Sequence, residues 1–275
     1  MTVLDTGDAQ PTTLEVASGP VAALTAGAPG APPVLLLPGY TGSKEDFAPL
    51  LGPLGRAGMR AVAVDLPGQY QSPGPDDPAA YTPDRLAPTV LAVADLLGPD
   101  VRLLGHSFGG LVARAAVIAA PSAFDSLVLL SSGPAALGGQ RRQRIEQLEP
   151  LLAAAGLPGV YAAMQAAEAA DPDAVTPPAD LAAFLRRRFL AGSPTMLQGM
   201  GQAIRSEPDR VEQLAAAGLP VLVVHGADDD AWLPDAQHDM ARRLGARYAV
   251  VPGAAHSAAV ENPEALLPVL LDFWR

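Results

Sequence analysis

Residues 105–109 read Gly-His-Ser-Phe-Gly, and what flanks them constrains the fold more than the pentapeptide itself. Upstream lies the apolar run Val101–Leu104; downstream, Leu111-Val112-Ala113-Arg114-Ala115-Ala116 reads as a helix. A strand that ends in Gly-x-Ser-x-Gly and turns at once into a helix sets its serine on a tight elbow. Both glycines are required there, because a Cβ at either would collide with the neighbouring strand or helix. The turn pushes the Ser107 hydroxyl out of the sheet edge. It also aims the Phe108 amide and the positive end of the helix dipole at whatever that oxygen attacks.

The rest of the chain supplies a sheet for such an elbow. Candidate strands are Thr13–Ala17, Val21–Thr25, Val34–Leu37, Ala61–Asp65, Val101–Leu104, Ser126–Leu130, Val221–His225 and Tyr248–Val251. Several are nearly pure Val/Leu, as expected of strands covered by helices on both faces. Helices are expected at about Glu45–Ala57, Pro83–Leu97, Ser107–Ala119, Pro234–Leu244 and Pro263–Trp274. The alternation predicts an α/β fold with a mostly parallel eight-stranded sheet, helices on both faces, and an opening hairpin at an antiparallel edge.

Between Gly133 and about Ser206 the rhythm changes. Ala, Leu, Gln and Arg dominate, and Pro150, Pro158, Pro172, Pro177, Pro178 and Pro194 punctuate the segment. Several short helices without a strand are expected, inserted after the sixth strand as a lid over the carboxyl ends of the strands. The expected division is a core of residues 1–133 and 207–275 and a helical lid of 134–206.

Composition excludes whole classes of chemistry. No cysteine is present, so disulfides, thiol catalysis and thiolate metal sites are ruled out. Only four histidines are available, and no metal or cofactor site is expected. The net charge of −11 disfavours nucleic acid and anionic membranes as partners. The segment Met1–Asp8 has no basic residue and no apolar stretch of signal-peptide length, and no apolar run approaches the ~20 residues that span a bilayer. A cytoplasmic, soluble monomer or homodimer is the expectation.

A serine hydroxyl is a weak nucleophile unless a base takes its proton and a carboxylate orients the base. His256 lies in Pro252-Gly253-Ala254-Ala255-His256-Ser257, a loop of small residues after the last strand, where an imidazole is free to reach Ser107. The carboxylate is expected in the loop after the preceding strand, where Asp228, Asp229 and Asp230 are adjacent. One oxyanion donor is the amide of Phe108. The other is expected in Pro38-Gly39-Tyr40-Thr41-Gly42-Ser43, where Gly39 permits a turn that aims the Tyr40 amide inward. Loss of one such donor typically costs about 3–4 kcal/mol of transition-state stabilisation.

With these motifs in place, the chain resembles the α/β-hydrolase superfamily, in its lid-bearing esterase, haloperoxidase-like and proline iminopeptidase-like branch. The resemblance rests on Pro38–Ser43, Asp65-Leu66-Pro67-Gly68-Gln69-Tyr70-Gln71-Ser72, the elbow, Gly226–Pro234 and Gly253–His256. It covers nearly the whole chain and is weakest in the lid. The family's usual spacing puts the carboxylate three residues after the glycine, which selects Asp229. Two departures stand out. Pro38-Gly39 replaces the usual His-Gly, and Gln69-Tyr70 replace residues of the usual Pro-Gly-His-Gly-x-Ser. The missing first histidine is normally structural, so the departure bears on loop rigidity more than on catalysis.

Other polar residues have ordinary readings. His106 is expected to pack or hydrogen-bond locally, His225 to be a satisfied core histidine and His238 to lie on an exposed helix. Asp65 is expected to hydrogen-bond the Pro-Gly turn that follows it. Arg141-Arg142 and Arg186-Arg187-Arg188 read as solvated helix faces. Tyr40, Phe108, Trp232, Met164, Met196 and Met200 are candidates for an acyl pocket, with core packing the competing role for the lid methionines.

The resemblance implies a serine hydrolase with Ser107, Asp229 and His256 as triad, acting without a cofactor on an ester or related acyl bond of a small apolar substrate. The same constellation serves thioesterases, lactonases, amidases, C–C bond hydrolases and metal-free perhydrolases, and the fold does not choose among them. Aminopeptidase action ranks lower, because Glu146, Glu149 and Glu168 form no distinguishing pattern for an ammonium group. A haloalkane dehalogenase is disfavoured, since its nucleophile position would be aspartate. A non-catalytic ligand receptor on this fold would typically have lost a triad member.

Overall fold

In the computed structural model, which describes residues 5–170 and 176–275, every candidate strand forms, and the ladder extends most of them by one to three residues. The strands are β1 (Gln10–Val16), β2 (Gly19–Ala26), β3 (Pro33–Leu37), β4 (Arg60–Val64), β5 (Val101–His106), β6 (Phe124–Leu130), β7 (Val221–Gly226) and β8 (Arg247–Val251). They make one sheet in the order β1-β2-β4-β3-β5-β6-β7-β8. The hairpin β1–β2 and the β2–β4 pair are antiparallel; from β4 to β8 every pairing is parallel. The first four residues and Pro172 lie outside the described residues.

Parallel strands need crossovers, and the helices that provide them cover both faces. Successive side chains of a strand point to opposite sides, so one sequence serves two cores. Leu35, Leu37, Val62, Val64, Leu103, Leu127, Leu129 and Val223 pack with α2 (Pro83–Leu97), α3 (Phe108–Ala119) and α8 (Pro234–Leu244). Their neighbours Val34, Leu36, Ala61, Ala63, Leu104, Val128, Leu130 and Val224 pack with α1 (Ala48–Arg56) and α10 (Pro263–Phe273). The expected first helix starts as a 3-10 turn, Lys44–Phe47, before α1 takes over.

The segment between β6 and β7 is helical, as expected, with no strand among its described residues. Its first stretch, α4 (Gly139–Ala169), is two helices that meet at a kink at Gly156, whose φ of 62° is left-handed. Pro158 follows that break, where a missing N–H costs the least. Two further helices, α5 (Ala179–Ala191) and α6 (Pro194–Ser206), complete the insertion, and a short α7 (Val211–Ala215) precedes β7. Of these, α6 is the most deeply seated: Gly199 lies so close to the turn at Pro78 that a Cβ would come within 2.3 Å of that residue's carbonyl. The entry and exit of the insertion are tied together, with Ala136 N donating to Glu207 O and Leu137 N to Ile204 O, both at 2.8 Å.

Candidate active site

At the β5–α3 junction Ser107 has φ 55° and ψ −120°, a conformation that an L-residue adopts at a cost on the order of 1–3 kcal/mol. The surroundings enforce it. A Cβ on Gly105 would lie 2.3 Å from Gly109 O, and one on Gly109 would lie 2.5 Å from the carbonyls of Leu37 and Pro38. Ser107 N donates to Leu130 O at 2.9 Å, and Ser132 Oγ donates to Ser107 O at 2.8 Å. Backbone and serine are thereby clamped between α3 and β6.

Two loops bring the partners. The β7 and β8 loops cross so closely that a Cβ on Gly226 would fall 2.0 Å from Ala255 O, which is what glycine is for at this position. His256 Nε2 lies 3.0 Å from Ser107 Oγ, and His256 Nδ1 lies 2.9 Å from Asp229 Oδ1. A carboxylate acceptor at Nδ1 requires the proton on that nitrogen, which leaves Nε2 as acceptor for the serine hydroxyl. Of the three adjacent acids, only Asp229 is buried. Asp228 is exposed, and Asp230 faces away to form an ion pair with Arg141 at 2.6 Å.

Asp229 is held in place by more than the imidazole. Its Oδ1 accepts from Ala231 N at 3.0 Å and its Oδ2 from Gln237 Nε2 at 2.9 Å. Burial pushes this carboxyl up, but the bonds from His256, Ala231 and Gln237 outweigh it and hold the group below the usual carboxylate range. Gln237 belongs to α8 and carries no local signal of such a role in the sequence.

His106 departs from the expected local contact. Its Nε2 reaches across the site to donate to the His256 carbonyl at 2.8 Å, and the two rings are tilted with centroids 5.0 Å apart. Burial first, and then the neighbouring His256, push His106 down from 6.5 to about 4. His225 is buried and bonded to Gly226 O and to the Tyr248 hydroxyl, both at 2.7 Å, and His238 is exposed on α8.

The loop after β3 stands against Ser107: a Cβ on Gly39 would meet Ser107 Cβ at 3.2 Å. Among the described residues, neither the Tyr40 nor the Phe108 amide donates to another protein group. Both are therefore free to receive an oxyanion. Where the family's usual histidine is missing, Gln69 is buried and its Nε2 donates to Gly39 O at 2.7 Å. Asp65 corrects its expected role. Its carboxylate accepts from Gln71 N of the following loop at 3.2 Å and its carbonyl from Ser72 Oγ at 2.8 Å, but the main partner of the carboxylate is Lys44, whose amide and ammonium both lie 2.8 Å away. Burial raises the Asp65 carboxyl to about 6 in spite of that cation.

Ser107 and His256 open on a cavity of about 690 Å³, roofed by α4, α5 and α6. Ile145, Leu148, Leu152, Val160, Met164, Phe189 and Leu197 form much of its wall, and Tyr40 lines it near the serine. Several pocket candidates are placed elsewhere. Phe108 is in the core beneath the elbow, Trp232 packs on Gly133 and donates to Ala135 O, and Met200 is fully buried. Met196 packs over Gly68 and faces a small separate crevice. Large side chains beside a motif are as useful for holding it as for touching a ligand, and here they hold it. Arg186 and Arg187 are exposed, as read, but Arg188 turns into the cavity wall and pairs with Asp46.

Among the described residues no helix is long and apolar enough to cross a membrane, and no group of three or more His, Cys, Asp or Glu could hold a metal ion. With this fold and geometry, the model of the Alpha/beta hydrolase family matches residues 34–269. The chain belongs to the alpha/beta hydrolase family. It is 29% identical over 240 residues to pimeloyl-[acyl-carrier protein] methyl ester esterase of Edwardsiella ictaluri, covering 79% of this chain and 83% of that one. It is 28% identical over 270 residues to the polyketide synthase ThaQ of Burkholderia thailandensis; the match takes in 94% of this chain but spans only 12% of the synthase. A solved hydrolase from Pseudomonas aeruginosa PA01 superposes with a TM-score of 0.78 at 26% identity, covering 96% of this chain and 98% of that one.

Proposed function

We propose that this hydrolase cleaves an ester, or a related acyl bond, of a small and largely apolar substrate through an acyl-enzyme on Ser107. The observation that carries the reading is the unbroken chain of hydrogen bonds from Ser107 through His256 to Asp229, at 3.0 and 2.9 Å, on the floor of a cavity lined by apolar side chains together with charged ones such as Arg144, Glu149 and Arg188. Ser107 Oγ attacks the carbonyl carbon while His256 Nε2 takes its proton, and Asp229 stabilises the imidazolium. The tetrahedral oxyanion is received by the amides of Tyr40 and Phe108. Collapse breaks the bond to the leaving oxygen, which takes the proton from His256. Water then attacks the acyl-enzyme with His256 as base, releasing the acid and restoring the serine.

The reading of the substrate draws on two supports. A cavity of this size and apolar lining suits a molecule with an extended acyl or alkyl part. The Edwardsiella relative is named for ester cleavage. We propose further that residues 134–206 act as a cap over residues 1–133 and 207–275, since α4 to α6 supply most of the wall and none of the triad.

Turnover of a p-nitrophenyl short-chain ester by the purified protein is expected, with Ser107→Ala reducing it by at least about 10³-fold while the fold persists. Undiminished turnover in that variant would remove the mechanism. A panel of esters, thioesters, lactones and aminoacyl amides, run beside a peroxide-dependent halogenation assay, ranks the acyl chemistries. Fluorophosphonate labelling at Ser107 separates all of them from a pure ligand receptor, which does not react.

A further inference from the structure

The peptide unit that carries the Tyr40 amide also carries the Gly39 carbonyl. In a trans peptide these two groups point in opposite directions, and the described residues contain no cis bond. Whatever grips the carbonyl from behind therefore aims the N–H in front. Two donors do so: Gln69 Nε2 at 2.7 Å and Gly42 N at 3.1 Å. Gln69 is 1% exposed and takes no part in the cavity wall, whereas Gly39 and Tyr40 both do. The carbonyl thus faces the protein interior and the N–H faces the cavity.

The other end of the carboxamide is also committed. Gln69 Oε1 accepts from Leu66 N at 2.9 Å, in the buried chain just past the end of β4. A flipped amide would set a donor against that N–H, so the bonding network dictates which end is which. The side chain is a strut between the buried start of the loop after β4 and one peptide plane of the loop beside Ser107.

We infer that Gln69 is a positioning residue of the oxyanion hole, fixing the plane of the Gly39–Tyr40 peptide so that the Tyr40 N–H meets the developing charge. A buried hydrogen bond on the carbonyl also polarises the peptide and strengthens its N–H as a donor. The inference rests on the proposal that Ser107 forms an acyl-enzyme with Tyr40 as an oxyanion donor. It adds the residue that holds the donor, one that no motif around the serine would disclose.

Two variants separate this role from simple loop support. Gln69→Glu keeps the acceptor for Leu66 N and loses the donor to Gly39 O; Gln69→Leu loses both. Each is expected to lower kcat about tenfold, less than the roughly 10²–10³-fold that loss of an oxyanion donor itself costs, with KM changed less than about twofold. Affinity for a trifluoromethyl ketone is expected to fall in proportion to kcat/KM. A folded Gln69→Glu protein with wild-type kcat would overturn the inference, because support of Leu66 alone would then suffice. Should neither variant fold, a crystal structure of the wild type with the ketone decides. The inference expects the ketone oxygen within about 3 Å of Tyr40 N and the Gln69–Gly39 bond intact; a flipped Gly39–Tyr40 peptide refutes it. Wild-type protein that neither hydrolyses esters nor labels at Ser107 would instead overturn the functional reading beneath it.

Discussion

His106 sits inside the elbow, donates to the backbone of the residue beside Ser107, and is held neutral by its surroundings. In the unfolded chain an imidazole titrates near 6.5, whereas in the fold this one does so at about 4. Between those values the unfolded state binds more protons, so stability falls as pH drops from about 6.5 to about 4 and is flat on this account below that. The slope contributed by one such group reaches about 1.4 kcal/mol per pH unit. Denaturant unfolding at pH 7, 6, 5 and 4.5 is expected to show a shallower acid loss in His106→Gln than in the wild type. Equal slopes would mean the imidazole is not desolvated as described. At this scale, the convergence of Ser107, His256 and the Asp228–Asp230 loop was legible, because each follows a strand in a short loop of recognisable composition. Gln69, Gln237 and Ser132 were not. Each acts on a backbone or carboxylate group brought near only by the fold; Gln237 and Ser132 stand in no distinguishing pattern, and Gln69 stands out only as a departure from the usual loop motif, which does not name its partner.

Elements were legible where hydrophobic periodicity was strong. The β5–elbow–α3 unit is the clearest case, and its helix carries a feature the pattern hides. Arg114, on the buried face of α3, is 1% exposed and pairs with Glu207 at 2.8 Å, just past the end of α6. It also donates to the carbonyls of Gly133 and Pro134, where the chain leaves the sheet for the insertion. One guanidinium therefore staples the way out of the core to the way back. Glu207→Ala leaves that cation buried without its counter-charge, and a loss of about 3–5 kcal/mol in urea unfolding is expected. Glu207→Gln, which still accepts a hydrogen bond, should lose less. Within the insertion the α4 span is two helices, as the proline-punctuated pattern predicts, but the break falls at Gly156 and Pro158 opens the second stretch, while Pro150 sits inside the first.

For the molecule as a whole, the insertion is fastened on both sides of the serine. Arg188 of α5 pairs with Asp46, close to the Gly39–Ser43 loop, and Arg141 of α4 pairs with Asp230, next to Asp229. Between them, the Tyr40 hydroxyl donates to Leu197 O of α6 at 2.6 Å. A half-exposed pair such as Arg141–Asp230 contributes little to global stability, but it bears on how long the segment it fastens stays seated. Arg141→Ala is expected to change the unfolding free energy by less than about 1 kcal/mol while thermolysin cuts residues 134–206 several-fold faster. Added salt should move the wild type towards the variant, since these charges are screened within about a Debye length. Cleavage at equal rates, in low salt, would show that the apolar contacts of α6 hold the insertion unaided.

The amino-acid order alone determined the α/β-hydrolase architecture, the elbow and the strand-end loops, because these arise from local periodicity, glycine geometry and short connections that the chain cannot evade. Only the tertiary structure decided what supports the site and what shapes the cavity. Those depend on pairs such as Gln69 with Gly39, Arg188 with Asp46 and His106 with His256, which lie far apart in the chain. Their partnership is set by packing distances, which no linear pattern encodes.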